Sequence, residues 1–158
     1  MPFSDKNSLF GAVLAKARRI CEDSLSVDEK LLLLCRLLKD SVHYYDWVGF
    51  YIADASKREL RLGPFVGEPT VHVEIPFGKG ICGQAADRKK MYLVQDVTKE
   101  TNYLACSTKV RSEIVVPILR NGVVVGELDI DSHSLSPFTR EDERFLDQLS
   151  KEVSRLLH

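Results

Sequence analysis

The chain has 158 residues, of which 22 are basic and 23 acidic, so its formal net charge is −1 at pH 7. A chain of this length fits a single domain, predicted as residues 1–158, which can bury about 70% of its unfolded surface without disulfides or metals. It has no dense basic stripe for phosphates, so nucleic acid is not expected as a partner. It also shows no secretory signal and no apolar run as long as a membrane span, which predicts a cytoplasmic protein without membrane contact.

Two amphipathic helices are predicted before the first strand. Residues 8–20 carry apolar side chains at helical spacing, and a second helix opens with Ser26 and Glu29 in the register of a capping box. Cys21 and Cys35 belong to the apolar stripes of these helices. Both cysteines are therefore predicted to be small buried hydrophobes.

From residue 46 the apolar pattern changes to a period of two, which predicts a strand. Three residues are assigned to its core face: Val48, Phe50 and Ile52. The opposite face carries Trp47 and Tyr51 with Gly49 between them. These aromatics are either covered by a helix or a subunit contact, or they wall a small pocket in which Gly49 leaves room for a ligand.

Short strands and one short helix are predicted for the middle of the chain. The strand segments are "RELRLGPFVG", "VHVEIPFG" and "MYLVQDV", and the helix is "GICGQAADRKK". Asn121-Gly122 then predicts a hairpin, and a last helix is expected from near Thr139 to the C-terminus. Helices that bracket about six strands are typical of an α+β domain in which terminal helices pack on a single antiparallel sheet.

The last predicted strand has one acidic face. Glu127, Asp129 and Asp131 alternate there with apolar residues. Like charges at this spacing repel each other, so the face is either fully solvated or forms a site for a cation.

Two cysteines stand outside the predicted apolar stripes. Cys106 lies in a polar loop, seven positions before Glu113, and Cys82 is flanked by glycines where the short helix begins. A helix N-terminus would lower the pKa of the Cys82 thiol, and free backbone N–H groups in residues 80–83 could bind a carboxylate. Cys82 could equally be a packed residue. No second close Cys or His pair accompanies these cysteines, so we expect neither a metal site nor a cofactor.

Five segments together resemble the free methionine-(R)-sulfoxide reductases, which are single GAF-fold domains. They are "WVGFY", "LGPFVG", "IPFGKGICG", "LACSTKVRSEIVVP" and "GELDIDS", in the family's order and spacing between about residues 46 and 143. The resemblance implies an oxidoreductase that reduces the R epimer of free methionine sulfoxide and is recycled by thioredoxin. It implies Cys106 as the attacking thiol and suggests a homodimer. The residues that it assigns to the substrate pocket are Trp47, Tyr51, Glu113, Asp129 and Asp131.

The chain departs from the family pattern at two places. Many members carry a third cysteine ten positions before the one that matches Cys82, and here that position is His72. Cys82 must then act as the resolving thiol, or an outside thiol must reduce the sulfenic acid. His72 itself either contributes a hydrogen bond or is a strand residue without a chemical role. The loop also reads "NYLACS" where the family commonly reads Gly-His-Ile-Ala-Cys-Asp.

The chemistry of the substrate fits these residues. Free methionine sulfoxide carries an ammonium, which Asp129 and Asp131 can pair with, and a methyl group, which the faces of Trp47 and Tyr51 can cover. Thiolate attack on the sulfoxide needs an acid, for which Glu113 or one of the aspartates is the candidate. The resulting sulfenic acid would condense with a second thiol to a disulfide that thioredoxin exchanges. Spacing leaves open which of the two cysteines attacks first.

The hairpin register imposes a condition on this pocket. A strict two-residue turn at Asn121-Gly122 would pair Glu113 with Ile130 and turn it away from the aspartates. We therefore predict a bulge or a one-residue slip in the hairpin. Two other functions remain open at this point: a GAF module that senses a small ligand, and a thiol redox sensor without a sulfoxide substrate.

Overall fold

The computed structural model describes residues 3–105 and 107–158. Within these residues the fold contains four α-helices, six β-strands and one turn of 3-10 helix at Val97–Lys99. The helices are α1 (Phe3–Glu22), α2 (Val27–Ser41), α3 (Gly80–Arg88) and α4 (Arg140–Val153). The strands are β1 (Trp47–Asp54), β2 (Glu59–Val66), β3 (Glu74–Pro76), β4 (Tyr92–Val94), β5 (Ser112–Arg120) and β6 (Val123–Ser132).

The six strands form one antiparallel sheet in the order β3-β2-β1-β6-β5-β4. On one face α2 packs on β1 and β2, α4 packs on β5, and α1 packs on both of these helices. On the other face α3 packs against β3, β4, β5 and β6. The α+β prediction with terminal helices on a single sheet is therefore confirmed.

The helix starts follow the local chemistry of the sequence. The Ser26 hydroxyl accepts the Glu29 N–H at 3.2 Å, which satisfies a backbone donor in the first turn of α2. Thr139 and Asp142 form a full capping box at the start of α4. Asp142 is completely buried, and the hydroxyl of Tyr45 donates to its carboxylate at 2.7 Å. This acid therefore joins the start of α4 to the segment that leads into β1.

The main core lies between the sheet and α1, α2 and α4. Val48 and Phe50 are fully buried in it, and Ile52 packs against it, as the period of two predicts. Cys35 is also buried in this core, and burial raises the pKa of its thiol. Cys21 is only partly buried, and burial raises the pKa of its thiol as well. Both helix cysteines are packed residues.

The hairpin between β5 and β6 contains the predicted irregularity. Asn121 and Gly122 have φ values of +52° and +78°, which suit a tight two-residue turn. The pairing then shifts between Ile118 and Leu119, so that Val125 is an extra residue on β6. Every later pair on this hairpin is displaced by one residue from the strict register.

Among the described residues, no helix combines the length and the apolar character needed to cross a bilayer.

Candidate active site

The bulge brings three carboxyl groups together on the α3 face of the sheet. Glu113 pairs with Asp131 across β5 and β6, and Asp129 follows opposite Val115 on the same face. Glu113 is hydrogen-bonded to both aspartates. One carboxyl group can donate a hydrogen bond to another only if it carries a proton. The group of Glu113, Asp129 and Asp131, which we call the carboxyl trio, therefore holds at least one proton.

The acidic face of β6 is buried, so a solvated sheet face is the wrong interpretation of its pattern. Glu113 is 5% exposed, Asp129 1%, Asp131 2% and Glu127 0%. Helix α3 and the loops beside it cover this face of the sheet. Alternation along a strand identifies the face that a residue occupies, but it does not reveal what packs over that face.

Burial makes the aspartates of the trio weaker acids than usual. The pKa of Asp131 lies well above its ordinary range because of burial and then because of the charge on Asp129. Burial also raises the pKa of Asp129, but hydrogen bonds from Glu113 and Cys82 oppose the increase. Asp129 is thus the better carrier of negative charge, whereas Asp131 favours the protonated form.

Glu127 continues the row beneath α3 but has a different environment. Both of its carboxyl oxygens are buried without a hydrogen-bond partner among the described residues. Its pKa is raised well above the ordinary value, first by burial and then by the charge on Asp129. A buried carboxyl without partners is stable only in its neutral form.

Cys82 lies in the first turn of α3, directly over the trio. It is 5% exposed, and its Sγ donates to Oε2 of Glu113 at 3.8 Å. Burial raises its pKa well above the usual range, and the charges of nearby carboxylates, Asp129 first, raise it further. The prediction that the helix N-terminus lowers this pKa is therefore wrong, because the helix dipole contributes at most about 2 kcal/mol. Cys82 is a neutral thiol that needs a base before it can react.

The same atoms could hold a small cation. One ligand atom each from Cys82, Glu113 and Asp129 lies within 4.8 Å of the others. An ammonium group suits such a cluster as well as a metal ion does. That the protein has no metal site remains a prediction from the spacing of its cysteines.

Trp47 is placed beside the trio by its own packing. It is 4% exposed, its ring stacks on Phe65 at 5.4 Å between centroids, and its Nε1 donates to the Glu68 carbonyl at 2.9 Å. A Cβ on Gly49 would collide with the Trp47 indole. The room that Gly49 leaves is therefore filled by this indole, so the alternative in which Gly49 leaves room for a ligand is wrong.

The predicted pocket residues surround two neighbouring small cavities. Tyr51, Cys82 and the Glu113–Asp129 side of the trio line a cavity of about 10 Å³. Trp47 and Asp131 line a second cavity of about 30 Å³. Volumes of this size admit about one or two water molecules. The structure thus gathers these residues around the trio but in a closed arrangement.

Two loops close the site: residues 67–73, between β2 and β3, and the loop before β5, described for residues 100–105 and 107–111. Both cavities are lined by residues of both loops. His72 lies in the first loop, so its prediction as a strand residue is wrong. Its ring Nε2 is 2.9 Å from the carbonyl oxygen of Ala105. Cys106 follows Ala105 but lies outside the described residues, so its role stays a prediction.

Asn102 is a site residue that the sequence analysis missed. Its Oδ1 accepts the Gly80 N–H at 2.8 Å, and its Nδ2 donates to the Gly78 carbonyl at 2.8 Å. The predicted carboxylate site in residues 80–83 is therefore partly occupied by this side chain, and the Gly83 N–H bonds to the Lys79 carbonyl. The sequence shows only an asparagine in the polar loop before β5, 22 positions after Gly80, and nothing in that position indicates a contact with α3.

Comparisons with known proteins match this architecture. The sequence pattern of the GAF domain covers residues 24–158. The free methionine-R-sulfoxide reductase of Saccharomyces cerevisiae is 42% identical over 112 residues, which cover 70% of this chain and 62% of the yeast protein. The enzyme of the same name from Escherichia coli is 37% identical over 121 residues, which cover 77% of this chain and 72% of the Escherichia coli protein.

A solved structure extends the likeness to the whole fold. The free methionine-R-sulfoxide reductase of Neisseria meningitidis, in complex with its substrate, superposes with a TM-score of 0.91 at 36% identity. The superposition covers 99% of this chain and 92% of that one.

Proposed function

Because the chain belongs to the GAF domain family and, within it, to the free methionine-(R)-sulfoxide reductases, a group of oxidoreductases, we propose that it reduces free L-methionine-(R)-sulfoxide to methionine with its own thiols. The observation that carries the proposal is the buried carboxyl trio in contact with the Cys82 thiol. It places an acid and a thiol in one buried site, and sulfoxide reduction requires both.

Each part of the substrate has a partner in this site. Asp129, the better carrier of negative charge, pairs with the ammonium group. The faces of Trp47 and Tyr51 cover the S-methyl group. Glu113 and Asp131 share a proton and donate a hydrogen bond with it to the sulfoxide oxygen, where negative charge develops during attack. The cavities are smaller than an amino acid, so the two loops must move apart when the substrate enters.

The first half of the reaction forms methionine. The Cys106 thiolate attacks the sulfoxide sulfur, and the trio gives one proton to the oxygen. The oxygen is then transferred from the substrate sulfur to the Cys106 sulfur. Cys106 becomes a sulfenic acid, and the substrate is reduced to methionine. The proton comes from Glu113 in our assignment, which leaves a carboxylate 3.8 Å from the Cys82 thiol.

The second half of the reaction restores that proton. The new Glu113 carboxylate accepts the Cys82 proton, and the Cys82 thiolate attacks the Cys106 sulfur. An S–S bond forms, the S–O bond breaks, and the oxygen leaves as water with one further proton from solvent. Glu113 thus acts first as an acid and then as a base, so the high pKa of Cys82 does not prevent its reaction.

An external dithiol must then reduce the Cys82–Cys106 disulfide. We propose thioredoxin as this reductant and, because thioredoxin needs a reducing compartment, the cytoplasm as the location. A homodimer is part of the same proposal and rests on family likeness alone.

Substrate selectivity tests the proposed function. With dithiothreitol as reductant, we expect the protein to reduce free methionine-(R)-sulfoxide. Turnover of the S epimer should be lower by about 100-fold or more, and a methionine sulfoxide that is acetylated and amidated should not be reduced. The blocked substrate lacks the ammonium that pairs with Asp129. Methionine formation measured by chromatography checks all three. Equal turnover of the blocked substrate would refute the ammonium contact, and absence of all turnover would favour a ligand or redox sensor.

A further inference from the structure

We propose that His72 is a positioning residue, which holds the loop before β5 at Ala105 and so supports attack by the thiol of the next residue, Cys106. This inference rests on the proposed function, because it assigns a role in the same site. His72 has no part in the chemistry described above. Its hydrogen bond is to the main chain of the residue that directly precedes Cys106.

The direction of this hydrogen bond is fixed by its partner. A carbonyl oxygen has no proton, so Nε2 of His72 must donate one to Ala105 across their 2.9 Å separation. The ring therefore carries its proton on Nε2 whenever the contact is made. A side chain of similar reach that ends in an N–H donor could replace it, whereas an apolar side chain could not.

The backbone of His72 is itself anchored to the wall of the site. The Tyr51 hydroxyl donates to the His72 carbonyl at 2.9 Å, and Tyr51 is only 1% exposed. The His72 N–H donates to the Thr70 hydroxyl at 3.1 Å. Since both main-chain polar groups are bonded, the imidazole extends from a fixed base. Tyr51, His72 and Ala105 thus form a chain of contacts from β1 to the cysteine loop.

Other contacts hold the same loop farther from Cys106. Asn102 ties its first half to the start of α3. Lys109 pairs with Glu68 at 2.8 Å, but their side chains are 64% and 56% exposed, and such a pair contributes little in salt. His72 holds the loop between these two points, one residue from the reactive thiol.

Attack by a thiolate is sensitive to small displacements. Reacting atoms must approach to about 3–3.5 Å in the correct direction, and a displacement of about 1 Å can cost up to 100-fold in rate. Loss of the His72 contact should therefore reduce kcat more than it changes KM, because the ammonium and methyl partners of the substrate lie on β1 and β6.

The test compares His72→Leu, which removes the donor, with His72→Gln, which keeps an N–H donor of similar reach. His43→Leu, a change at an exposed histidine, is the matched control. We expect His72→Leu to lower kcat about tenfold with KM within about twofold of wild type, and His72→Gln and His43→Leu to stay near wild type. If His72→Gln is as impaired as His72→Leu, the hydrogen bond is not the cause and the proposal fails.

A second readout does not depend on turnover. Iodoacetamide should alkylate Cys106 several-fold faster in His72→Leu than in wild type, and at a rate near that of wild type in His72→Gln. Mass spectrometry of the peptide that contains Cys106 measures this rate. An unchanged alkylation rate in His72→Leu would overturn the positioning role. If wild type shows no reductase activity, the alkylation rates still decide whether His72 holds the loop. Failure of the proposed reductase function can therefore be distinguished from failure of the positioning role of His72.

Discussion

Replacing Glu113 with glutamine should lower kcat for free methionine-(R)-sulfoxide by about 100-fold or more, the usual contribution of a general acid or base. The amide keeps the shape of the side chain and can still donate a hydrogen bond to the aspartates. It can neither give a proton to the sulfoxide oxygen nor accept the Cys82 proton. Steady-state turnover over a range of substrate concentrations measures the effect.

Glu127→Gln is the matched control for this prediction, because it changes another buried carboxyl on the same face of the sheet. Glu127 contacts neither of the two cavities. We expect this variant to keep kcat within about twofold of wild type, since it lacks a role in proton transfer. Equal losses in both variants would mean that the chemistry does not depend on Glu113 in particular.

Glu127 should instead limit the stability of the fold at alkaline pH. Its folded-state pKa is raised above its ordinary value of 4.5. The folded protein then binds more protons than the unfolded chain at pH above 4.5, so the free energy of unfolding decreases as the pH rises toward the folded pKa. Glu127→Leu removes the buried unpaired carboxyl and should stabilise the protein by about 1–3 kcal/mol at pH 8.

Urea unfolding at pH 5 and pH 8 measures this effect. The free energy of unfolding should decrease less between pH 5 and pH 8 in Glu127→Leu than in wild type. Some decrease should remain in the variant, because the pKa values of Asp129 and Asp131 are also raised in the folded protein. Glu74→Gln, at an exposed glutamate on β3, should leave the pH dependence unchanged. Destabilisation by Glu127→Leu at pH 8 would show that this side chain has a partner that the structure does not describe.

The sequence was sufficient to predict a single antiparallel sheet of about six strands and a bulge or one-residue slip in its last hairpin. Period-two alternation in β1 assigned Val48 and Phe50 to the core, and Asn121-Gly122 located the turn. The bulge followed from a functional requirement, because Glu113 reaches Asp131 only if one residue is inserted. The choice of Val125 as that residue could not be predicted, since neighbouring valines are equivalent in pattern.

The sequence could not predict what covers the site. The burial of Asp129 depends on α3 and two loops that pack over β6, and these contacts join segments far apart in the chain. The pKa of Cys82 follows from the same packing, so its position at a helix start gave the wrong direction. Gly49 shows the same limit, because the indole that fills its space comes from a rotamer of Trp47.

The decisive experiment measures steady-state turnover of free methionine-(R)-sulfoxide by three proteins: wild type, Cys106→Ser and Cys82→Ser. Each protein is assayed with dithiothreitol and separately with thioredoxin. We expect wild type to be active with both reductants, Cys106→Ser to be inactive with both, and Cys82→Ser to be active only with dithiothreitol. Full activity of Cys82→Ser with thioredoxin would contradict its resolving role, and a wild type inactive with both reductants would contradict the reductase function itself.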